Sequence, residues 1–283
     1  MIQELKETKK AAPLFEGWQE TMIWSCLQGV MGKIYADSQE DPVSAMAVLG
    51  DFCFLAGRPD REMIEYRKGG TDGGGPGVRQ GKNSDRRGLS EVQEQEEFVI
   101  IVPRDEGWAE LIEEYLSEKV KKTLRYAIKK EPDVFDREKL RGIVDDLPRG
   151  YELKMIDEGL FERCGEADWS KSWVEQYEDY DTYRKYGLGV VILKDGEPVS
   201  GASSYTSYIG GIEVQIDTRE DHRRRGLALV CGAKLILECL RRGWYPSWDA
   251  QNRWSVSLAE KLGYHFDHEY VVYEAAGTDR RTE

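Results

Sequence analysis

The run Asp221-His-Arg-Arg-Arg-Gly-Leu-Ala228 sets three consecutive arginines, Arg223, Arg224 and Arg225, directly before Gly226 and an apolar stretch. A strand that turns tightly into a helix leaves backbone N–H groups unpaired at the helix start. Those groups, together with the helix dipole, attract an anion. Glycine at 226 keeps that approach free of a Cβ, Leu227 points inward, and the small Ala228 leaves the path open. Arginines at a helix N-terminus oppose the dipole and cost stability unless an anion compensates them. Well-paired guanidinium groups contribute about 1.5–3 kcal/mol per hydrogen bond, and a pyrophosphate suits such a turn. Just upstream, Glu213, Gln215 and Asp217 alternate with Ile212, Val214 and Ile216, the pattern of a strand with one polar face. A carboxylate beside an ammonium ion can take its proton and free the amine to attack. Glu213 and Asp217 share that face, and either could be such a base.

These residues need a strand–turn–helix scaffold. Strand signals run through Tyr151–Asp157 and then through three strands between Leu188 and Asp217, joined by Asp195-Gly196 and Gly210-Gly211 turns. A helix follows to about Arg242, with Leu229, Val230, Ala233, Ile236, Leu237 and Leu240 at helical spacing. The short strand Tyr-Pro-Ser-Trp-Asp-Ala leads into a helix from Asn252, and a strand from His265 closes the series. Upstream, strands are expected at 32–38, within 43–57 and at 97–103, then a helix from about 108 to 130 and a shorter one in 136–150, stopped by Pro148 and Gly150. The reading is an N-terminal α/β lobe at 1–148 with a flexible Gly-rich loop at 68–90, a second domain at 149–276, and a polar tail at 277–283. Ile34–Ala45 echoes Ile192–Gly201: in both, a strand meets an acidic turn and Pro-Val-Ser opens the next strand.

The segment Ile216–Ala228 resembles motif A of the GNAT acyltransferase superfamily, [RQ]-x-x-G-x-[GA], with Arg223, Gly226 and Ala228 at its fixed positions. Asn252-R-W-Ser255-V-S-Leu258-A-E-K-Leu262-Gly263-Tyr264 is similar to that family's N-x-x-[AS]-x-x-L-x-x-K-L-G-[FY] segment. The resemblance covers about 151–275. It implies an α/β GNAT fold, a mixed central sheet with splayed parallel strands flanked by helices, and makes the N-terminal lobe a degenerate GNAT-like α/β unit. The layout is similar to a bacterial two-lobe subgroup, some of whose members modify amino-containing antibiotics. By the same resemblance, acetyl-CoA is the cosubstrate. Its pantetheine arm pairs with Ile216, Asp217 and Thr218, its pyrophosphate sits on residues 223–228, and Asn252 and Ser255 lie beside it. A backbone N–H near 216–218 polarises the thioester carbonyl. The implied reaction is acetyl transfer to a primary amine of a small molecule by direct attack, with Glu213 closer than Asp217 to where relatives often place a base. Many relatives carry a tyrosine as general acid where this chain has Ala259, so Tyr264, Ser255 or water would substitute. Alternatively, the chain is a catalytically weak CoA-binding sensor or regulatory module. The stretch Asp168–Tyr186 corresponds in position to the family's acceptor helices, and Trp169, Trp173 and Tyr177 there suit a cationic acceptor.

Composition narrows the rest. The chain has 283 residues and a formal charge of −13, which opposes nucleic-acid binding and permits a cationic substrate. Five cysteines without a CxxC pair fit a reducing, cytoplasmic setting without a disulfide scaffold. Cys231 and Cys239 read as core thiols. No metal is expected: His265 and His268 fall on opposite faces of a strand. The N-terminus lacks a signal peptide's apolar core, and no apolar run reaches the ~18 residues of a membrane span. Strands within 43–57 offer an edge on which a second copy could pair into a homodimer.

Overall fold

The computed structural model describes residues 1–68 and 98–275. In chain order the elements are β1 (Gln3–Glu4), α1 (Thr21–Gln28), β2 (Lys33–Ala36), β3 (Ser44–Leu49), β4 (Phe52–Gly57), α2 (Arg61–Lys68), β5 (Val99–Pro103), α3 (Glu106–Leu116), β6 (Val120–Ile128) and α4 (Arg137–Asp145). Then come β7 (Glu152–Met155), α5 (Glu158–Glu166), α6 (Tyr180–Tyr186), β8 (Gly189–Lys194), β9 (Glu197–Tyr208), β10 (Gly211–Thr218), α7 (Leu227–Arg242), β11 (Tyr245–Ser247), β12 (Asp249–Ala250), α8 (Arg253–Leu262) and β13 (Phe266–Ala275). Apart from Lys68, which ends α2, the Gly-rich segment at 68–90 lies outside the described residues, as does the 277–283 tail.

The chain divides into two compact units. The first takes residues 1–19, 26–123 and those from 271 on; the second takes Glu20–Ser25 and Leu124–Tyr270. The sequence reading put the break at 148. It falls earlier because α4 belongs with the second unit, where its fully buried Leu140 joins the α7 core.

In the first unit β2, β3 and β4 form an antiparallel meander, and β5 adds to β4 in parallel. Trp108, Ile112 and Leu116 of α3 pack with Met63 and Ile64 of α2 over Met46, Leu55 and Ile101. Because β3 is bonded to β2 and β4, and β4 to β3 and β5, the 43–57 strands have no free edge. The edge expected there for a second copy is taken by β2 and β5 of the same chain. The helix expected over 108–130 stops at Leu116. Ser117 takes a positive φ of 46° as its C-cap, and Val-Lys-Lys-Thr-Leu-Arg-Tyr-Ala-Ile runs on as β6; alternation in that stretch outweighs its helix-forming lysines.

In the second unit five strands lie in the order β11-β10-β9-β8-β7. All neighbours are antiparallel except β10 and β11, which run parallel. The Asp195-Gly196 turn between β8 and β9 uses φ of 52° and 84°, the primed hairpin geometry its sequence predicts. Helix α7 lies on this sheet. Val230, Ala233 and Ile236 pack with Val190, Ile192, Ile212 and Val214, and each large apolar side chain so buried contributes about 1.5–3 kcal/mol. Both ends of α7 carry a left-handed glycine, Gly226 and Gly243, and Arg241 and Arg242 complement the dipole in the last turn. The 34–45 and 192–201 echo is real at this level: each is an antiparallel hairpin, β2–β3 and β8–β9.

Candidate active site

The parallel pairing of β10 and β11 is short. Gly211 faces Tyr245, Ile212 faces Pro246, and Glu213 faces Ser247. There the pair ends. The chain leaves β11 through Trp248 into β12, which pairs with β6 instead. On the other side of β10 the register to β9 shifts between Glu213 and Val214, with Tyr205 as the additional residue of β9. Such a bulge twists a strand and re-aims its side chains. Beyond Glu213, no described strand bonds to the β11-side edge of β10, so the backbone of residues 214–218 on that edge is available to a ligand. Glu213 stands at the fork.

Glu213 is 5% exposed. The Thr21 hydroxyl donates to its Oε2. Neither Glu213 Oε1 nor the buried Ser247 Oγ has a hydrogen-bond partner among the described residues. Opposed residues of a parallel pair point to the same side, so the two orphan oxygens share a face. Burial pushes the Glu213 carboxyl up; the Lys130 charge and the Thr21 hydroxyl oppose this, Asp249 adds to it, and the nearby Ser247 pulls weakly down. Glu20, one residue before Thr21, is also buried. Desolvation, then the Asp249 and Glu213 charges, hold its carboxyl well above the usual carboxylate range, against Lys130 and Arg125. Asp249 is itself tied down: Arg125 Nε donates to Oδ1 at 2.5 Å and the Tyr270 hydroxyl to Oδ2 at 2.7 Å. Asp217, the other base expected from sequence, is half-buried, and its Oδ2 accepts from the Gln215 amide at 2.6 Å.

The arginine turn has the backbone of an anion loop. Arg224 and Gly226 both have positive φ, 60° and 79°, and no side chain caps α7. A Cβ at Gly226 would meet no atom within 4 Å, so space is open there and only the backbone conformation calls for glycine. Two of the three arginines are partly used by the turn itself. Arg223 Nε donates to the Thr218 carbonyl at 3.2 Å. Arg225 donates to the Tyr151 hydroxyl at 3.0 Å and the Asp221 carbonyl at 2.9 Å. Arg224 is exposed and makes no hydrogen bond among the described residues. The buried His222 holds the turn from below through Nδ1, 2.9 Å from the Tyr151 hydroxyl. Leu227 is buried beneath the turn and Ala228 is half-buried. An open β10 edge, an uncapped helix start and a free guanidinium fit the pantetheine and pyrophosphate of a coenzyme A thioester.

Other expected residues have different duties. Asn252 caps α8, its Oδ1 accepting from the Ser255 N–H at 2.9 Å, and Ser255 Oγ accepts from Trp248 Nε1 at 3.0 Å. This leaves the Asn252 NH₂ and the Ser255 hydroxyl proton free to donate to a ligand. Tyr264 is not a general acid. It is buried, and its hydroxyl donates to the Pro246 carbonyl at 2.6 Å; burial raises it well above its ordinary range. Trp173 and Tyr177 do not present their rings to an acceptor. Trp173 is fully buried with its ring where a Cβ on Gly201 would stand, 2.7 Å away. Tyr177 is buried, its hydroxyl 2.7 Å from Ser204 Oγ and 2.8 Å from Ser207 Oγ. Trp169 is half-buried and packs edge-on against Trp173. Trp173, Tyr177 and Tyr183 are therefore core, docked on the serine-rich β9, while Trp169, Tyr180 and Tyr186 stay half-buried. Tyr177→Phe should cost about 1–3 kcal/mol in urea unfolding and leave the KM for the amine unchanged. All five cysteines are buried free thiols, and burial raises Cys231 to about 12, far from nucleophilic use. His265 pairs with Glu131 and His268 with Asp267. No helix among the described residues is long and apolar enough to cross a membrane.

Glu20, Thr21, Arg125, Asp249 and Tyr270 escaped the sequence reading. Thr21 and Glu213 lie 192 residues apart, and Gln-Glu-Thr-Met carries no motif. The one available signal was Glu20 and Thr21 opening a helix that the reading left undivided.

The parallel fork, the bulge and the glycine turn into α7 define a GNAT-type acyltransferase fold. The GNAT acetyltransferase family model matches residues 12–273, and the chain belongs to that family. It is an acyltransferase of the N-acetyltransferase class. A Bacillus subtilis (strain 168) protein described as an uncharacterized N-acetyltransferase, YdfB, is 25% identical over 282 residues, covering 96% of this chain and 98% of its own length. The crystal structure of a GCN5-related N-acetyltransferase-like protein from Streptococcus suis 89/1591 is 43% identical, with a TM-score of 0.82 over 96% of this chain and 99% of that one. A GCN5-related N-acetyltransferase from Sphaerobacter thermophilus, 14% identical with a TM-score of 0.54 over 100% of this chain and 98% of its own, shares the fold.

Proposed function

We propose that the protein transfers an acetyl group from acetyl-CoA to a primary amine of a small molecule by direct attack. The observation that carries this reading is the buried Glu213 carboxylate, with Oε1 unpartnered, at the point where β10 and β11 part. The family generally uses acetyl-CoA. Here residues 216–218 would hold its pantetheine arm, and the turn 223–228 with the Asn252 amide would hold its phosphate end. When bound, it supplies an acetyl carbon on a thiolate leaving group, so that an N–C bond forms while the C–S bond breaks with its electron pair on sulfur.

The rest falls to this chain. Glu213 Oε1 takes one proton from the acceptor's ammonium group and exposes the nitrogen lone pair. A backbone N–H among Ile216–Thr218 faces the carbonyl oxygen as charge gathers on it. The second nitrogen proton goes to the departing sulfur, so no tyrosine is needed at position 259, where Ala259 is fully buried. A base this deeply placed favours a slender, unhindered amine. The test is amine-dependent release of CoA by the purified protein across a panel of small primary amines, with the acetylated product identified by mass. Release that needs the amine is the expected result. Acetyl-CoA binding without amine-dependent release would favour the sensor reading, which Ala259 raises.

A further inference from the structure

Four residues of the second unit close a ring behind the glycine turn. Arg225 Nη2 donates to the Asp221 carbonyl at 2.9 Å, and Nη1 donates to the Tyr151 hydroxyl at 3.0 Å. The Tyr151 oxygen lies 2.9 Å from His222 Nδ1. His222 Nε2 lies 3.5 Å from Asp221 Oδ2, which brings the ring back to its start. The Asp221 carboxylate is itself held by Arg219, whose Nε and Nη2 donate at 2.7 and 3.0 Å. His222 is 8% exposed, and the Tyr151 ring meets it edge-on at 5.7 Å. Tyr151 stands just before β7, 74 residues from Arg225 in sequence, with Lys194 Nζ 5.6 Å from its ring centre.

Donors and acceptors fix where the protons sit. A guanidinium only donates, so the Tyr151 oxygen accepts from Arg225 and keeps its own proton to give. Among the described residues, His222 Nδ1 is the acceptor within its reach. Nδ1 is therefore bare, and the proton of the neutral ring is on Nε2, facing the Asp221 carboxylate. The phenol is thus the joint between a buried imidazole and an exposed guanidinium. Two N–H groups of Arg225 are already engaged before a ligand arrives, which keeps its charge at the turn where Arg224 and Gly226 have positive φ. Holding a long cationic side chain in place beforehand removes part of the ordering cost of binding.

We infer that Tyr151 is a positioning residue of the anion turn: bonded to the Nε2–H form of His222 on one side and to Arg225 on the other, it holds that guanidinium ready for the phosphates of the cosubstrate. That these phosphates belong to acetyl-CoA rests on the acetyltransferase reading; the order of the hydrogen bonds does not.

The test uses the full chain and three probes: acetyl-CoA, acetyl-pantetheine, which carries no phosphate, and inorganic pyrophosphate. Tyr151→Phe keeps the ring and removes the joint. It should weaken acetyl-CoA and pyrophosphate binding about tenfold, the scale of one hydrogen bond to a charged group. The KM for acetyl-CoA rises accordingly while kcat holds, and acetyl-pantetheine binds as it does to wild type. His222→Gln, whose amide oxygen can accept the phenol's proton, should bind acetyl-CoA nearly as well as wild type, and His222→Leu as poorly as Tyr151→Phe. The imidazole gives a second reading. At about pH 8.5, where histidine is ordinarily neutral, the nitrogen-15 signals lost in His222→Gln should show a protonated Nε2 and a bare Nδ1. Equal affinities of Tyr151→Phe and wild type, an equal loss with acetyl-pantetheine, or a His222 ring protonated on Nδ1 overturns the inference. Should Tyr151→Phe not fold, the two His222 variants and the nitrogen-15 spectrum decide it. The two proposals fail separately. If Tyr151→Phe acetylates amines with unchanged acetyl-CoA affinity, the transfer reading stands and Tyr151 is idle. If pyrophosphate binding needs Tyr151 but no amine is acetylated, the anion turn stands and the transfer reading falls.

Discussion

Glu213→Gln lowers kcat by about 10²–10⁴-fold, the usual contribution of a positioned general base, with little change in the Kd for acetyl-CoA. The amide keeps the size of the side chain and can still accept from Thr21, so the fork retains its shape while losing its proton acceptor. The pH profile gives a second signature. Burial raises the Glu213 carboxyl in the folded protein, so the folded state holds this proton more tightly than the unfolded chain does. Activity therefore needs a pH above that raised value, and the acid limb of kcat/KM lies above the ordinary carboxylate range; the variant lacks this limb. Stability runs the other way. Between the unfolded and the raised folded value the native state binds the extra proton, so stability falls as pH rises through that window. Glu213→Gln removes this loss and gains on wild type as pH increases. Stopped assays across pH and parallel urea titrations check both. An inactive variant that is also less stable at every pH would mean that Glu213 serves structure.

The second large effect is on stability. Arg125→Met costs about 3–5 kcal/mol, the usual penalty for removing one member of a buried ion pair. The Asp249 side chain is 7% exposed and the Arg125 side chain 13%, so loss of the guanidinium leaves a buried carboxylate with the Tyr270 hydroxyl as its remaining described hydrogen-bond donor. Most of the cost is the stranded charge. The double variant Arg125→Met, Asp249→Leu should therefore recover a large part of it. Urea unfolding of the two singles and the double closes the cycle. Additive losses would show that the pair is not coupled and that Asp249 is solvated through another route.

How much was legible beforehand depends on the range of the forces involved. The Gly226 turn and α7 could be read because a glycine at positive φ, an apolar face and flanking arginines are all local to one stretch. The Asp195-Gly196 hairpin was legible for the same reason. Tyr-Pro-Ser-Trp-Asp-Ala was read as one strand, yet its halves bond to different strands, β10 and β6, and nothing local marks the break at Trp248. The aromatic stretch misled because composition cannot tell a ring docked on buried serines from one facing a cleft; the hydrogen bonds of Tyr177 to Ser204 and Ser207 decide it. Thr21 was invisible because its contact with Glu213 closes a loop of 192 residues. Glu213 was named as one of two candidate bases, but its burial and its orphan Oε1 are properties of packing that no local pattern carries.

The most direct test of the acetyl-CoA site is a thermal-shift comparison of wild type and Gly226→Asp with and without acetyl-CoA. At a ligand concentration ~100 times the Kd, binding adds about 2.7 kcal/mol and raises the Tm by a few degrees. Aspartate at 226 meets no steric obstacle, but it strains a backbone at φ 79° and places a carboxylate where the phosphates belong. The expected result is a clear shift in wild type and none in a folded Gly226→Asp. A folded wild type that acetyl-CoA leaves unshifted at saturating concentration, or a mutant that shifts equally, would contradict an acetyl-CoA site at this turn.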